Sequence, residues 1–527
     1  MAETLPRDAA GVLHDAHKLS LHADCAEWCP QAALTHALAV GTYQLDEASG
    51  QRHGRLYVYE LSTARGGRPG AEEGDGNSGS GGGGSDAGQQ EQQQQQQHRG
   101  AGGGSGDVRG GGYRLVPCQH IDMTGIFDLK WGPPQLGRGH LLGAALADGH
   151  LRLYTLGGGC GSGGAGGGGD GGAGRSEGAP LKLAAAGSVH ACADGMALSL
   201  DWQRCVGVGG GSGGGAEHAP ASRAPPPGGV NDRGGGSGGD DGGGGECEDG
   251  GDGGDGDAGD GGGGGGGGGD GDAGSSGGGA QRLCVSGSCG TLSVVCLRGD
   301  GGEAVVERSW QGHELEAWCA AFDRTNPHVL YSGADDSFFK AWDTRDAGVA
   351  IYANRRAHGA GVCTVSPHPT VPHLLATGSY DEHVRVWDVR APSRPVMLSE
   401  VSTGGGNWRV RWHPQRPDVL LVAAMYNGFA VLRAGQPLPG GAGRDDGGGA
   451  CEDSVWLPRE LAVVETYAQG SPSAVAYGAD WHQGFPAGWH QRRGGGASRA
   501  PVGPSDALVA SASFYDSALH LWQPACV

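Results

Sequence analysis

Three shortages narrow the possibilities before any pattern is sought. Fourteen cysteines are scattered without a single Cys-x-x-Cys pair, Cys25-x-x-x-Cys29 being the nearest approach. Neither a zinc site nor a dithiol redox motif has that spacing, so no metal is expected. No stretch approaches 18 apolar residues, and the opening "MAETLPRDAAGVLHDAHKLS" has no apolar core. A membrane span and a secretory leader are therefore not expected, and reduced thiols in a cytoplasmic protein are. Basic residues are also short, 37 Lys and Arg against 58 Asp and Glu. A nucleic-acid partner would need a basic stripe, and none is present.

Catalytic signatures are equally scarce. Gly-x-Ser-x-Gly occurs at 210–214, 235–239 and 274–278, always inside glycine tracts, whereas a nucleophile elbow needs a strand entering and a helix leaving. There is no Gly-Lys-Ser/Thr, and His313-Glu314 is not followed by the second His of a zinc protease. No cofactor is expected.

What is abundant is glycine, 113 residues, gathered in tracts at about 65–112, 157–180, 206–280, 435–452 and 484–504. Such segments hold too few apolar groups to offset the entropy of ordering and are expected to be disordered insertions. Eleven acids and no Lys or Arg lie between Gly234 and Gln281, so about half of the net charge of -21 sits in one of them. Removing the tracts leaves about 300 residues of ordinary composition, enough for one large core.

A repeat emerges from that remainder. "YSGADDSFFKAWDTR" (331–345) and "ATGSYDEHVRVWDVR" (376–390) align, and Trp342 and Trp387 stand 45 residues apart, close to the period of a WD40 blade. Weaker copies end their first strands at Trp28, Trp131, Trp202, Phe322, Val365, Trp412 and Trp481. Seven units predict an all-β fold, a seven-bladed WD40 propeller over residues 19–524, with the glycine tracts in its loops. "HKLSLH" (17–22) is expected to supply the outer strand of the last blade and close the ring.

Inside such blades a loop His, a strand Ser or Thr, a turn Asp and a Trp form a buried relay. Here the sets are His313, Ser332, Asp336, Trp342 and His358, Thr377, Asp381, Trp387. They resemble a catalytic triad in composition, but the repeat makes them braces. Just before the turn Asp, the aligned units carry Tyr43, Ala147, Cys289, Asp335, Tyr380, Tyr426 and Tyr515. Four tyrosines in seven are far above average usage. With Trp318 and Trp408 nearby, they predict an aromatic channel mouth, suited either to a partner protein or to a quaternary ammonium group.

The strings "GHELEAWCAAFD", "YSGADDSFFKAWDTR", "ATGSYDEHVRVWD", "WRVRWHP" and "EWCP…ALAVGTYQL" together resemble the diphthine methylesterase family, from about Leu19 to Trp522. That resemblance implies a carboxylic ester hydrolase of diphthamide biosynthesis. It would release methanol from methylated diphthine on elongation factor 2, a protein partner, with other diphthamide-pathway proteins as further partners. Diphthine carries a trimethylammonium group, which suits the aromatic mouth. Tyr43, Tyr380, Tyr426, Tyr515, Trp318, Trp408 and Asp335 are the expected substrate-binding residues. Ester hydrolysis needs a base-activated water or a nucleophile. Glu316 or His383 is expected as general base, with Cys289 as a covalent runner-up. The alternative is a non-catalytic adaptor that presents the modified factor to the amidating step.

Overall fold

The computed structural model describes residues 11–63, 112–133, 140–157, 180–204, 281–298, 303–435, 458–468, 474–484 and 507–527. The five glycine tracts lie outside these residues except at their edges, as does the whole of Gly207–Gly279. All that follows concerns the unit Met1–Val206 with Ala280–Val527.

The described strands form seven antiparallel sheets, six of four strands and one, that of blade 1, of five, and together they make a seven-bladed β-propeller. The innermost strands of blades 1 to 7 are Ala23–Trp28, Ile126–Trp131, Ala197–Trp202, Cys319–Phe322, Val362–Pro367, Arg409–Trp412 and Ala476–Trp481. Each touches the innermost strand of the next blade, and that of blade 7 touches that of blade 1, so the ring is closed.

Closure uses the chain's beginning, but not the stretch expected. Val12–Lys18 pairs antiparallel with Ala518–Gln523 as the outer strand of blade 7, so of the expected 17–22 only His17 and Lys18 belong to it, and Leu19 N–H still donates to Ser517 O (2.8 Å) before the chain turns to blade 1. The strand starts ahead of the 19 boundary because its alternating half of "VLHDAHK" can lie along the edge. Ser20–His22 instead form the bend that delivers the chain to the channel.

Four of the Trp residues near the ends of innermost strands share one task. Trp131 donates its indole N–H to Glu27 O (3.1 Å), Trp202 to Lys130 O (2.9 Å), Trp412 to Ser366 O (3.0 Å) and Trp481 to Arg411 O (3.1 Å). In each case the acceptor belongs to the preceding blade, so one side chain fills the inter-blade core and satisfies a carbonyl there. Blades 4 and 5 carry Phe322 and Pro367 at this register, not the Val365 expected for blade 5, and have no such bond, and the Trp28 indole of blade 1 is buried without one.

The relay in blade 4 is complete. Trp342 donates to Ser332 Oγ (2.8 Å), Ser332 donates to His313 Nε2 (2.7 Å), and His313 Nδ1 donates to Asp336 Oδ2 (3.0 Å). In blade 5 the first half repeats: Trp387 donates to Thr377 Oγ1 (2.9 Å), and Thr377 donates to His358 Nε2 (2.9 Å). The expected last link is missing. His358 Nδ1 has no partner, and Asp381 instead takes the N–H groups of Gly359 (2.8 Å) and His383 (3.0 Å) and the Arg385 guanidinium. Arg385 stands where blade 4 has Lys340, whose ammonium reaches the Gly312 carbonyl; the bidentate-capable guanidinium captures the turn acid.

Candidate functional site

The turns between second and third strands end with a residue in the left-handed region. It is Gly149 (φ 79°), Gly290 (80°), Ser337 (65°), Glu382 (69°), Gly428 (73°) and Ser517 (52°) in blades 2 to 7. This register shows which residue each turn sends to the channel mouth. Tyr380 N–H donates to Gly361 O (2.9 Å), Asp335 N–H to Glu316 O (2.9 Å) and Tyr43 N–H to His22 O (2.9 Å), each reaching back to the entry of its own blade. By the same bond the residue in blade 3 is Ser288, whose N–H donates to Met196 O (2.9 Å), and Cys289 falls one place later. Cys289 lies beside Thr291 Oγ1 (3.2 Å) and takes the brace position of the acid. In blade 7 one extra residue in the turn gives this bond to Phe514, which donates to Val475 O (2.9 Å), with Tyr515 beside it.

These backbones bring the rings together. Trp408 stacks on Tyr477 (centroids 4.7 Å apart, planes at 19°), and Tyr477 packs on Phe514 at 4.8 Å. Phe514 carries Tyr515 at 5.1 Å and His22 at 4.8 Å, and reaches Tyr43 at 6.3 Å. Trp408 also meets Trp318 edge-on at 5.3 Å and Tyr380 at 6.5 Å. Five of the six expected aromatic residues are thus joined by ring contacts through Tyr477 and Phe514, two residues that sequence reasoning missed. Tyr477 opens the innermost strand of blade 7, and no alignment of turn residues points to it.

The sixth ring, Tyr426, is the most exposed, at 79%. It belongs with the others electrostatically: the Tyr380 phenol is pushed up to about 12 by burial, then by Cys363, Tyr426, Asp335 and Tyr515. Asp335 accepts the Trp318 indole N–H at 3.4 Å. Glu316, half-buried, lies next to this pair through its carbonyl. His383 does not join the cluster through any ring contact. Its Nδ1 donates to Asp381 O (2.7 Å), which ties the turn, and its strand partner is Ser402 toward the blade's outer edge.

Below the rings the channel wall is charged. Arg409 donates to Asp128 Oδ1 (2.8 Å) and Phe127 O (3.2 Å), and Lys130 donates to Asp128 Oδ1 (3.0 Å). Burial would raise the Asp128 carboxyl, but Arg409, Lys130 and Arg411 hold it below its ordinary value. Further along the same strands, Arg411 pairs with Glu27 (2.6 Å), and Asp480 is raised to about 7 by burial and Glu27 against the pull of Arg411. The strand ends there line a cavity of about 120 Å³ with Glu27, Lys130, Asp201, Arg324, Arg411 and Asp480.

One carboxyl in this channel was not foreseen. Asp24, at the start of the innermost strand of blade 1, is 1% exposed, and its Oδ1 has no hydrogen-bond partner. Burial raises it to about 8, opposed by Arg409 and supported by Asp128, with the Trp408 indole N–H lowering it slightly. No motif marks it, because its neighbours come from three other stretches of chain.

The fold and its mouth define a WD-repeat propeller with an aromatic-ringed channel. The family described as "WD domain, G-beta repeat" matches residues 305–343 and 351–388, each running from the outer strand of one blade through the third strand of the next, blades 3 to 4 and 4 to 5. The chain is 47% identical over 62 residues to a human protein named diphthine methyltransferase, covering 11% of this chain and 14% of that protein. It is 25% identical over 198 residues to the mouse protein of that name (37% and 36%), and 31% identical over 85 residues to that of Schizosaccharomyces pombe (16% and 25%). The matched segments thus span between about a seventh and a little over a third of these relatives. A chain in the crystal structure of the mitotic checkpoint complex superposes with a TM-score of 0.47 at 12% identity, covering 99% of this chain and 95% of that one.

The resemblance to the diphthine proteins is therefore borne out, and the reaction class is corrected. The relatives are named methyltransferases, which overturns the expectation of a carboxylic ester hydrolase. The general-base assignments of Glu316 and His383 and the covalent role of Cys289 were made for that hydrolysis and go with it.

Proposed function

We propose that this chain acts in diphthamide biosynthesis by recognising diphthine on elongation factor 2 at the aromatic mouth, in a step concerned with its methyl groups. The observation that carries the proposal is the cluster of Trp408, Tyr477, Phe514, Tyr380, Tyr43 and Trp318 at one channel end. A trimethylammonium group cannot be hydrogen-bonded, and ring faces attract it electrostatically. The names of the relatives supply the modified residue, and that residue carries such a group.

The direct test is binding of elongation factor 2 with and without diphthine, competed by tetramethylammonium. Preference for the diphthine form, lost on competition, is the expected result. Equal binding of both forms removes the proposal. A second reading, an adaptor that presents the factor to amidation, is favoured by the 79% exposure of Tyr426, a ring placed for a protein surface. Incubating purified protein with the modified factor and following its methyl content separates the two.

A further inference from the structure

Asp24 has the attributes of a ligand group without a ligand. It is 1% exposed, yet Oδ1 meets no donor in the structure. A buried carboxyl normally has its lone pairs satisfied, because leaving them bare costs desolvation energy without return. The neighbouring cation does not supply the bond, since Arg409 places its donors on Asp128 Oδ1 (2.8 Å) and Phe127 O (3.2 Å). The Trp408 indole N–H is near enough to influence Asp24, but Nε1 also makes no hydrogen bond of ordinary geometry.

The groups around Asp24 come from four blades. Cys25 follows it on its own strand, with His22 just ahead of that strand; Trp408 and Arg409 act on it from blade 6, Asp128 from blade 2, with Lys130 bonded to Asp128, and Tyr477 from blade 7. Tyr477 is pushed up by burial and by Asp24, so the carboxyl's charge reaches the ring that stacks on Trp408. A buried carboxyl with one oxygen unbonded therefore lies beside the Trp408 and Tyr477 part of the aromatic cluster.

We infer that Asp24 is the counter-ion of the quaternary ammonium group held by Trp408, Tyr477 and the rings around them, and that it makes this recognition pH-dependent. The inference rests on the aromatic-mouth reading and adds to it a charge at depth that the exposed Asp335 and the half-buried Glu316 do not provide. Before a cation arrives, burial keeps Asp24 largely protonated at neutral pH, near its value of about 8. A bound cation favours the carboxylate, so below that value binding releases a proton to solvent. Affinity then rises about tenfold per pH unit up to about 8 and is level above it. Among the neighbours, His22 and Asp128 are lowered from their ordinary values, and Cys25 and Tyr477 are raised well above theirs.

The test is calorimetric titration of the whole chain with tetramethylammonium between pH 6.5 and 9.5, in buffers of different ionisation heat. The wild type should show the slope and release close to one proton per cation at pH 6.5. Asp24→Asn keeps the shape and removes the charge; it should bind at least about tenfold more weakly at pH 9 and show no slope. Its thermal midpoint should equal or exceed that of wild type, because a bare buried carboxyl gives the fold nothing. Wild-type binding without slope or proton release overturns the role of Asp24 and leaves the aromatic mouth standing. Absence of any wild-type binding overturns both. Proton release is measured on wild type alone, so an unfolded variant does not block the result.

Discussion

Arg385 Nη1 lies 2.9 Å from Asp381 Oδ2, whereas in the preceding blade the equivalent acid, Asp336, takes His313 Nδ1 at 3.0 Å. Two turns of the same sequence register thus use the same carboxylate for different partners. The choice follows from one residue on the third strand, Arg385 against Lys340. Removing Asp381 therefore strands an arginine rather than a histidine.

Asp381→Ala is expected to destabilise the protein by about 2–4 kcal/mol, because it leaves the 6%-exposed Arg385 short of a partner. Glu400, 3.1 Å from Arg385 Nε but half-exposed, returns part of the loss. Urea denaturation of Asp381→Ala and of the pair Asp381→Ala/Arg385→Met is the check. The double variant should recover most of the stability, and a recovery with His358 replaced instead would contradict the assignment.

Glu382 sits at φ 69° in the turn where blades 2, 3 and 6 have glycine. Its carbonyl accepts the Thr403 N–H (2.9 Å), a bond any residue provides. Glu382→Gly should stabilise the chain by roughly 0.5–1 kcal/mol, the relief of left-handed strain outweighing the extra freedom of the unfolded chain. A fall in the thermal midpoint would show that the carboxylate has a role of its own.

Burial pushes the His358 imidazole down to about 4, helped by the charge of Arg385. The unfolded chain, with ordinary histidine near 6.5, then binds the proton that the folded state refuses. Stability is therefore full above about 6.5 and falls as pH drops toward about 4, by up to about 1.4 kcal/mol per unit from this residue. His368, pushed to about 4 by burial, acts in the same window. His358→Gln, which keeps an acceptor for Thr377, should lessen the slope of stability against pH between 4 and 6.5. An unchanged slope would exclude His358 as its source.

Trp408 touches three rings, Trp318, Tyr380 and Tyr477, and Tyr380 touches one. Trp408→Leu should therefore weaken tetramethylammonium binding more than Tyr380→Leu, for which about ten- to thirtyfold is expected at ~2 kcal/mol. Tyr380→Phe keeps the ring face and should be mild. Measurement at matched thermal stability decides it, and Phe and Leu variants equally impaired would remove the aromatic account.

The repeated Trp residues, the 45-residue spacing of Trp342 and Trp387, and the His, Ser and Asp of blade 4 were legible in the chain itself. Each depends on contacts within a blade or between consecutive blades, where sequence distance is a fair guide to space. The rim tyrosines were legible for the same reason, since a turn residue keeps its register from unit to unit. Blade 3 misled because its turn "SCGT" lacks the acid that fixes the alignment, and Cys289 was read one place early.

What lay beyond the sequence is the channel interior. Asp24, Tyr477 and Arg409 come from blades 1, 7 and 6, and each is an ordinary residue of an innermost strand until the ring closes. Closure by Val12–Lys18 against Ala518–Gln523 sets blade 1 beside blade 7 and so brings residue 24 to residue 477. Periodicity assigns a strand its buried face, but which groups meet across a channel is fixed by the number of blades and their stagger. Those are properties of the whole ring, and so the tertiary structure alone left one buried carboxyl beside the rings with an oxygen unbonded.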